Sequence, residues 1–235
     1  MAIKKKQSHT KAYVAIVLVA IIAIATVAVA YATYGHSTKA KIIVGVHVGD
    51  TFYYNITGES ILFTAGADPD AYYTGFSQLN NTNYYKVTIT GVNGVSVSLN
   101  TDWAFNNGTD IQNSQTINLA TGQTTDPQGF WGIYASNLKL NGLLYPDGTA
   151  KLIVNSTGSE QFSSGLRTNN YWSTERVNYL TTDPTLSTLQ DNTIEVSFDT
   201  HTGVLTYLNN IIAYNNPEMN LIITWLLTNS TVWSV

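Results

Sequence analysis

The chain of 235 residues contains no cysteine. This absence excludes disulfide bonds, thiolate metal sites and cysteine nucleophiles. A folded domain without disulfides has to be stabilised by its hydrophobic core and its backbone hydrogen bonds. The length is sufficient for one sizeable core, so no second folded domain is needed.

Charged residues are scarce, at 11% of the chain, and they are unevenly distributed. Residues 1–41 contain six of the 11 basic residues and no acidic residue. The remaining residues contain all 15 acidic residues and have a net charge of −10. Nucleic acids and anionic lipid headgroups bind basic surfaces. We therefore expect residues 42–235 to bind no nucleic acid.

The stretch from Ala12 to Ala32 lacks charge altogether and is almost entirely apolar. About 20 apolar residues in one helix cross a hydrocarbon core about 30 Å thick. The stretch therefore predicts a transmembrane helix whose partner is the lipid bilayer. Four lysines precede it and two follow it at a distance, which places the N-terminus in the cytoplasm because cationic flanks stay inside.

This interpretation divides the chain into four parts. Residues 1–11 form a basic cytoplasmic tail, 12–32 the span, 33–41 a linker, and 42–235 an extracellular domain on the cell membrane. Two alternatives remain open. The apolar stretch could be a signal peptide cleaved between Ala28 and Ala32, or a pilin-type helix cleaved near Lys11 and Ala12 so that the mature chain starts at Tyr13.

Alternation of apolar and polar residues dominates the exterior domain. Phe52, Tyr54 and Ile56 alternate with polar or amphipathic residues, which indicates a half-buried strand. Similar patterns predict strands at 149–155, 171–180, 193–199, 204–214 and 220–233. In the last strand both faces are apolar, so we expect that strand to be central or covered on both sides.

Two hairpins can be given a register from their apolar faces. A three-residue loop from Val92 to Gly94, with Gly94 left-handed, pairs Ile89 with Val97 and Val87 with Leu99. A four-residue loop from Thr200 to Gly203 pairs Phe198 with Leu205 and Val196 with Tyr207. His201 then lies at a loop tip.

One soluble helix is predicted between the hairpins. Asp126 is a suitable N-cap, Pro127 fits the first helical position, and five apolar residues recur up to Leu138 before Asn141 and Gly142 end the pattern. The fold class is therefore mainly β. We expect a transmembrane helix followed by about ten antiparallel strands, in a curved sheet or half-barrel with that one helix packed against it.

The chain resembles two groups of proteins. The run Val48-Gly49-Asp50-Thr51-Phe52-Tyr53-Tyr54 and the closing Asn216-Pro217-Glu218-Met219 resemble uncharacterised membrane-anchored surface proteins of archaea. The architecture is more distantly similar to periplasmic lipoprotein carriers of the LolA and LppX kind. The second resemblance implies a hydrophobic ligand held between the sheet and a helix.

Five Asn-x-Ser/Thr triplets give candidate glycosylation sites at Asn55, Asn80, Asn107, Asn155 and Asn229. About five would occur by chance in this composition, so the predicted exterior location supports glycosylation more than the count does. No nucleophile elbow or phosphate-binding glycine loop is found in the sequence. Glycoside hydrolysis uses a pair of carboxylates. Five carboxylates could pair across strands, so this activity is not excluded by the sequence: Glu160, Glu175, Asp183, Glu195 and Asp199.

The sequence therefore predicts a single-pass cell-surface protein with a β-rich binding or structural module. No enzymatic activity, catalytic residue, cofactor or metal is assigned. The expected partners are the bilayer and either another surface protein or a hydrophobic ligand. A lipid carrier and a type IV pilin-like filament subunit are the alternatives.

Overall fold

The computed structural model describes residues 42–63, 76–180, 189–215 and 218–235. The predicted cytoplasmic tail, membrane span and linker lie outside the described residues. Within those four ranges, no helix is long and apolar enough to cross a bilayer.

Nine antiparallel strands form one open sheet in the described residues. The strand order is β4-β3-β2-β1-β9-β8-β7-β6-β5, so β4 and β5 are the edges. The strands are β1 (Thr51–Leu62), β2 (Thr82–Asn93), β3 (Ser96–Phe105), β4 (Asp110–Asn118), β5 (Ser156–Phe162), β6 (Gly165–Leu180), β7 (Leu189–Asp199), β8 (Leu205–Asn215) and β9 (Glu218–Ser230). The expectation of a mainly antiparallel β-fold is confirmed.

The last strand lies at the centre of the sheet, as its sequence predicts. β9 pairs with β1 on one side and with β8 on the other. Leu221 and Leu227 are buried, while Leu226 on the opposite face is 46% exposed. The strand is therefore central, with one of its two apolar faces only partly covered.

One face of the sheet, here called the covered face, packs against the irregular segment 119–155. Phe130 contacts Tyr54 and Tyr85, with ring centroids 5.3 and 6.2 Å apart. Tyr134 lies 4.4 Å from Phe198, again between ring centroids. Both Phe130 and Tyr134 are buried. The hydrophobic core thus lies between the sheet and this segment, and the opposite side of the sheet is called the outer face.

The predicted helix at 126–138 is wrong. These residues are irregular, and within the described ranges the one helix is α1 (Phe76–Leu79), a single turn. The predicted N-cap does act locally, because Gln128 N donates to Asp126 Oδ1 at 3.0 Å. Further along, the backbone pairs with other parts of the chain: Tyr134 N donates to Gly203 O at 2.8 Å and Leu205 N donates to Gly132 O at 2.9 Å.

Two features of the structure are incompatible with a helix there. Gly132 fits tightly, since a Cβ at this position would lie 2.7 Å from Leu205 Cβ. Asn137 has a φ of 58°, which a right-handed helix does not allow. The apolar residues are buried as expected, but by a chain that crosses the sheet without helical hydrogen bonds.

The register of the first hairpin differs from the prediction. Gly94 is left-handed as expected, with φ 59°, but the loop consists of Gly94 and Val95 and a bulge follows Ile89. Ile89 therefore pairs with Leu99, and not with Val97. The displacement is two residues, so the apolar face is preserved although the pairs change.

The second hairpin matches the prediction at its loop. Phe198 pairs with Leu205, and His201 is exposed. A bulge between Ser197 and Phe198 then shifts the register, so that Val196 pairs with Leu208 rather than with Tyr207.

Candidate binding site

Polar side chains line the outer face near one edge of the sheet. They form two rows across β2, β3 and β4, and neighbours in each row are directly paired: Lys86–Asp102–Gln112 and Thr88–Asn100–Ser114. These six residues line a depression of about 510 Å³, here called the polar cleft. Val87 on β2 and Thr101 on β3, which lie between them in sequence, are buried, because side chains alternate along a strand. On the edge strand β4, Asn113 is exposed.

An ion pair organises the first row. Lys86 Nζ lies 3.0 Å from Asp102 Oδ2, and the Tyr84 hydroxyl donates to the same oxygen at 3.2 Å. The hydrogen bond to Asp102 raises the pKa of Lys86, and the charge of Asp102 raises the pKa of Tyr84. At neutral pH the lysine is therefore charged and the tyrosine is neutral, and both hold one oxygen of the carboxylate.

Several polar atoms of the cleft are left without partners. Asn100 Oδ1 accepts from Ser114 Oγ at 2.8 Å, and Gln112 Nε2 donates to Asp110 Oδ2 at 2.8 Å. Within the described residues, Asp102 Oδ1, Asn100 Nδ2 and Gln112 Oε1 make no hydrogen bond to protein. The cleft thus presents two acceptors and one amide donor that are available to a ligand.

A second polar group on the outer face, here called the buried polar cluster, bonds mainly within itself, although Asn169 Oδ1 is buried without a hydrogen bond in the described residues. It consists of Glu160, Asn169, Ser197 and Thr206. Asn169 is fully buried, and its Nδ2 lies 3.0 Å from both Ser197 Oγ and Thr206 Oγ1 and also contacts Glu160 Oε2. Burial raises the pKa of Glu160, although the hydrogen bond from Asn169 opposes this. The cluster joins β5, β6, β7 and β8 and offers little surface to a ligand.

A buried ion pair lies beside the cluster. Arg167 donates from Nε and Nη2 to the two carboxylate oxygens of Asp199, at 2.8 and 3.0 Å. The same carboxylate accepts from Thr202 N at 2.7 Å and Thr202 Oγ1 at 2.8 Å. Burial alone would raise the pKa of Asp199, but these hydrogen bonds outweigh burial and lower it. Arg167 also stacks on Trp233, with Cζ 4.3 Å from the ring centroid.

The carboxylates considered for hydrolysis are placed in different environments. Asp199 is bound by Arg167, and Glu160 is bound by Asn169. Glu175 and Glu195 are exposed on β6 and β7, and Asp183 lies outside the described residues. In the part of the chain that the structure describes, no group of three or more His, Asp or Glu side chains is arranged to hold a metal ion.

The candidate glycosylation sites fall into two groups. Asn80 is held by Gly58, since its Oδ1 accepts from Gly58 N at 2.8 Å and its Nδ2 donates to Gly58 O at 2.9 Å. Its amide nitrogen is therefore already engaged. All five asparagines are exposed, and the remaining four are not held in this way: Asn55, Asn107, Asn155 and Asn229.

No known protein family, curated protein or solved structure matches the chain. The polar cleft was not found by sequence reasoning, because its residues come together only through the register of the first hairpin. The predicted register would have paired Lys86 with Asn100, whereas the structure pairs Lys86 with Asp102. The signal available in the sequence was the opposite charge of Lys86 on β2 and Asp102 on β3, which favours a register that pairs the two residues.

Proposed function

We propose that the chain is a membrane-anchored cell-surface protein of the archaeal kind that its sequence resembles. Residues 12–32 hold it in the membrane with the N-terminus inside, and residues 42–235 form an exterior binding module. The polar cleft is the binding site of that module. The observation that carries this assignment is that Asp102 Oδ1, Asn100 Nδ2 and Gln112 Oε1 belong to residues that line the cleft and make no hydrogen bond within the described residues.

The cleft is better suited to binding than the other polar regions. In the buried polar cluster, Asn169 Nδ2 bonds to Ser197 and Thr206, and the unpaired Asn169 Oδ1 is fully buried, so a ligand could not reach it without opening the cluster. In the cleft, a ligand would add hydrogen bonds to atoms that make none to protein within the described residues. Such groups give orientation and specificity in a binding site.

Retention of the full-length protein on an envelope fraction tests this function. The protein is extracted in detergent and applied to envelopes from cells lacking it. We expect Asp102→Asn combined with Asn100→Ala to reduce retention. Glu175→Gln is the matched control, because Glu175 is exposed on the same face but on β6. Equal retention of the double variant and the unmodified protein would refute the cleft as the site.

The N-terminus of the native protein tests the anchor. A chain that retains Lys4 to Lys11 and residues 12–32 in membrane extracts is expected. A mature start at Tyr13 would make the chain a pilin-like subunit, and a start near residue 33 would make it a released protein. Intact mass with N-terminal sequencing distinguishes these three outcomes.

We also infer that the sheet curls toward a half-barrel. Ser164 N donates to Ser234 O at 3.0 Å, which joins the β5–β6 turn to the C-terminus. In a flat sheet Phe52 on β1 and Phe162 on β5 would be separated by five inter-strand spacings, about 24 Å. Both rings contact Trp233, with centroids 5.8 and 6.4 Å from its own. Curvature of the sheet brings these two strands within reach of one side chain.

A hydrophobic-ligand carrier has less support. Its cavity would lie on the covered face, where the rings of Tyr134, Phe198 and Trp172 contact one another directly. These side chains are all at most 2% exposed. The apolar residues that would line such a cavity instead fill it.

A further inference from the structure

The chemistry of the polar cleft indicates the class of its ligand, provided that the cleft is the binding site proposed above. Its two charges already neutralise each other, since Lys86 Nζ lies 3.0 Å from Asp102 Oδ2. A charged ligand would have to compete with that ion pair. Anionic ligands are further disfavoured by the net charge of −10 on residues 42–235 and by the free carboxylate oxygen.

The free groups of the cleft include both acceptors and a donor. Asp102 Oδ1 and Gln112 Oε1 accept, while Asn100 Nδ2 donates two hydrogen bonds. Asn100 and Asp102 are two residues apart on β3, so their Cα atoms are about 7 Å apart. A hydroxyl group both donates and accepts, and adjacent hydroxyls on a ring can satisfy a carboxylate and an amide at the same time.

We propose that the polar cleft binds a neutral carbohydrate through adjacent hydroxyl groups, with Asp102 and Asn100 as its principal contacts. Tyr84 and Lys86 are positioning residues, because both hold Asp102 Oδ2 and thereby leave Oδ1 directed to the ligand. Ser114 has a similar effect on Asn100, whose Oδ1 it occupies. The volume of about 510 Å³ falls within the range of about 300–1,000 Å³ typical of small-ligand sites.

The experiment compares three envelope preparations in the retention assay: untreated, oxidised with periodate, and digested with protease. Periodate cleaves the bond between carbons that carry adjacent hydroxyl groups, whereas protease removes polypeptide. We expect oxidation to lower retention of the full-length protein at least about tenfold and protease digestion to leave it within about twofold. Retention that survives oxidation would overturn the carbohydrate ligand while leaving the binding function intact.

Single variants test the two principal contacts directly. The probes are neutral oligosaccharides released from the same envelope, and binding is measured by titration calorimetry on the detergent-extracted chain. Loss of one hydrogen bond to a charged group predicts about a tenfold weaker affinity for Asp102→Asn, and a smaller loss for Asn100→Ala. Glu175→Gln should bind like the unmodified protein.

The outcomes distinguish a failure of the carbohydrate ligand from a failure of the binding function itself. If the oligosaccharides bind and Asp102→Asn weakens them, the ligand class is supported. If they bind equally to all variants, or do not bind while envelope retention persists, the carbohydrate proposal is wrong. If neither envelopes nor oligosaccharides bind, the proposed function is wrong as well. Urea unfolding of each variant shows whether the fold is intact, which matters most for Asp102→Asn because Asp102 is 16% exposed and pairs with Lys86.

Discussion

Replacing Asp199 with Asn should destabilise the domain by about 2–3 kcal/mol at neutral pH. Asn keeps the oxygen that accepts from Thr202 N, so the turn is preserved. In the unmodified protein, Arg167 Nε donates to the second oxygen at 2.8 Å. Asn replaces that oxygen with an amide NH₂ group, which cannot accept this hydrogen bond. The variant therefore loses the ion pair and the hydrogen bond from Nε, and Arg167 keeps only the hydrogen bond from Nη2 to the remaining oxygen.

The magnitude follows from how deeply the pair is buried. Breaking a fully buried ion pair costs about 3–5 kcal/mol. Asp199 is 2% exposed, but the side chain of Arg167 is 22% exposed and retains some contact with water. This partial exposure lowers the expected loss to about 2–3 kcal/mol. The loss is a substantial part of the roughly 5–15 kcal/mol by which a domain is stable.

The same ion pair predicts a pH dependence. The folded state lowers the pKa of Asp199 below its ordinary value of 3.8, so folding favours the ionised form. Its contribution is complete above that ordinary pKa and disappears as the pH falls through the lowered folded value. The unmodified protein and Asp199→Asn should therefore differ by a constant free energy at neutral pH and converge below about pH 4.

Urea unfolding of the full-length protein, followed by tryptophan fluorescence between pH 3 and pH 8, measures both effects. Trp233 is a suitable reporter because it stacks on Arg167. Glu175→Gln, which removes an exposed carboxylate, should change stability by less than about 0.5 kcal/mol. A loss below about 1 kcal/mol for Asp199→Asn at pH 7, or a difference that does not shrink in acid, would refute the reasoning.

Three further predictions follow from single contacts. Gly203→Ala should lower the free energy of unfolding in urea by more than about 2 kcal/mol, because φ is +77° and the new Cβ would lie 2.1 Å from Tyr134 O. The control Gly94→Ala, with φ +59° and open space around it, should cost only about 1 kcal/mol. Equal losses for the two variants would contradict a steric clash at Gly203. Tyr54→Phe should cost about 1 kcal/mol in the same assay, because it removes a buried hydrogen bond of 3.0 Å to Leu205 O; no measurable change would show that this bond adds nothing. Peptide mapping by mass spectrometry of the native protein should find Asn80 unmodified, since Gly58 holds its amide, and a glycan on Asn80 but not on exposed Asn107 would contradict this.

The strands were predictable where apolar and polar residues alternate. β1 begins at Thr51 as its pattern indicates, and β9 is central as its two apolar faces indicate. The edge strands β4 and β5 were missed. Both are largely polar and exposed, so alternation gives no signal in them.

The covering segment shows why local patterns misled the helix prediction. Phe130, Ile133, Tyr134 and Leu138 have helical spacing and are all buried, but burial depends on the sheet beneath them. The segment bonds to Gly203 and Val204 across the fold, and such long-range contacts override local preference. The predicted strand at 149–155 failed for a related reason, since only an isolated bridge between Leu143 and Ile153 forms there.

The polar cleft required a register that the sequence did not specify. The predicted loop and the observed loop place the same side chains on each face, so the apolar pattern cannot separate them. The bulge after Ile89 decides the register. It brings Lys86 opposite Asp102 and thereby creates the site.

The central claim is that the polar cleft is an occupied binding site outside the cell. Labelling of introduced cysteines in intact cells tests it most directly. The chain has no cysteine of its own, so Thr88→Cys in the cleft and Ser159→Cys on exposed β5 can each be followed with a membrane-impermeant maleimide. We expect Ser159→Cys to react in intact cells, and Thr88→Cys to react slowly until the envelope is oxidised with periodate. Equal and rapid labelling of both variants before oxidation would contradict an occupied binding site, and no labelling of either would contradict the exterior location.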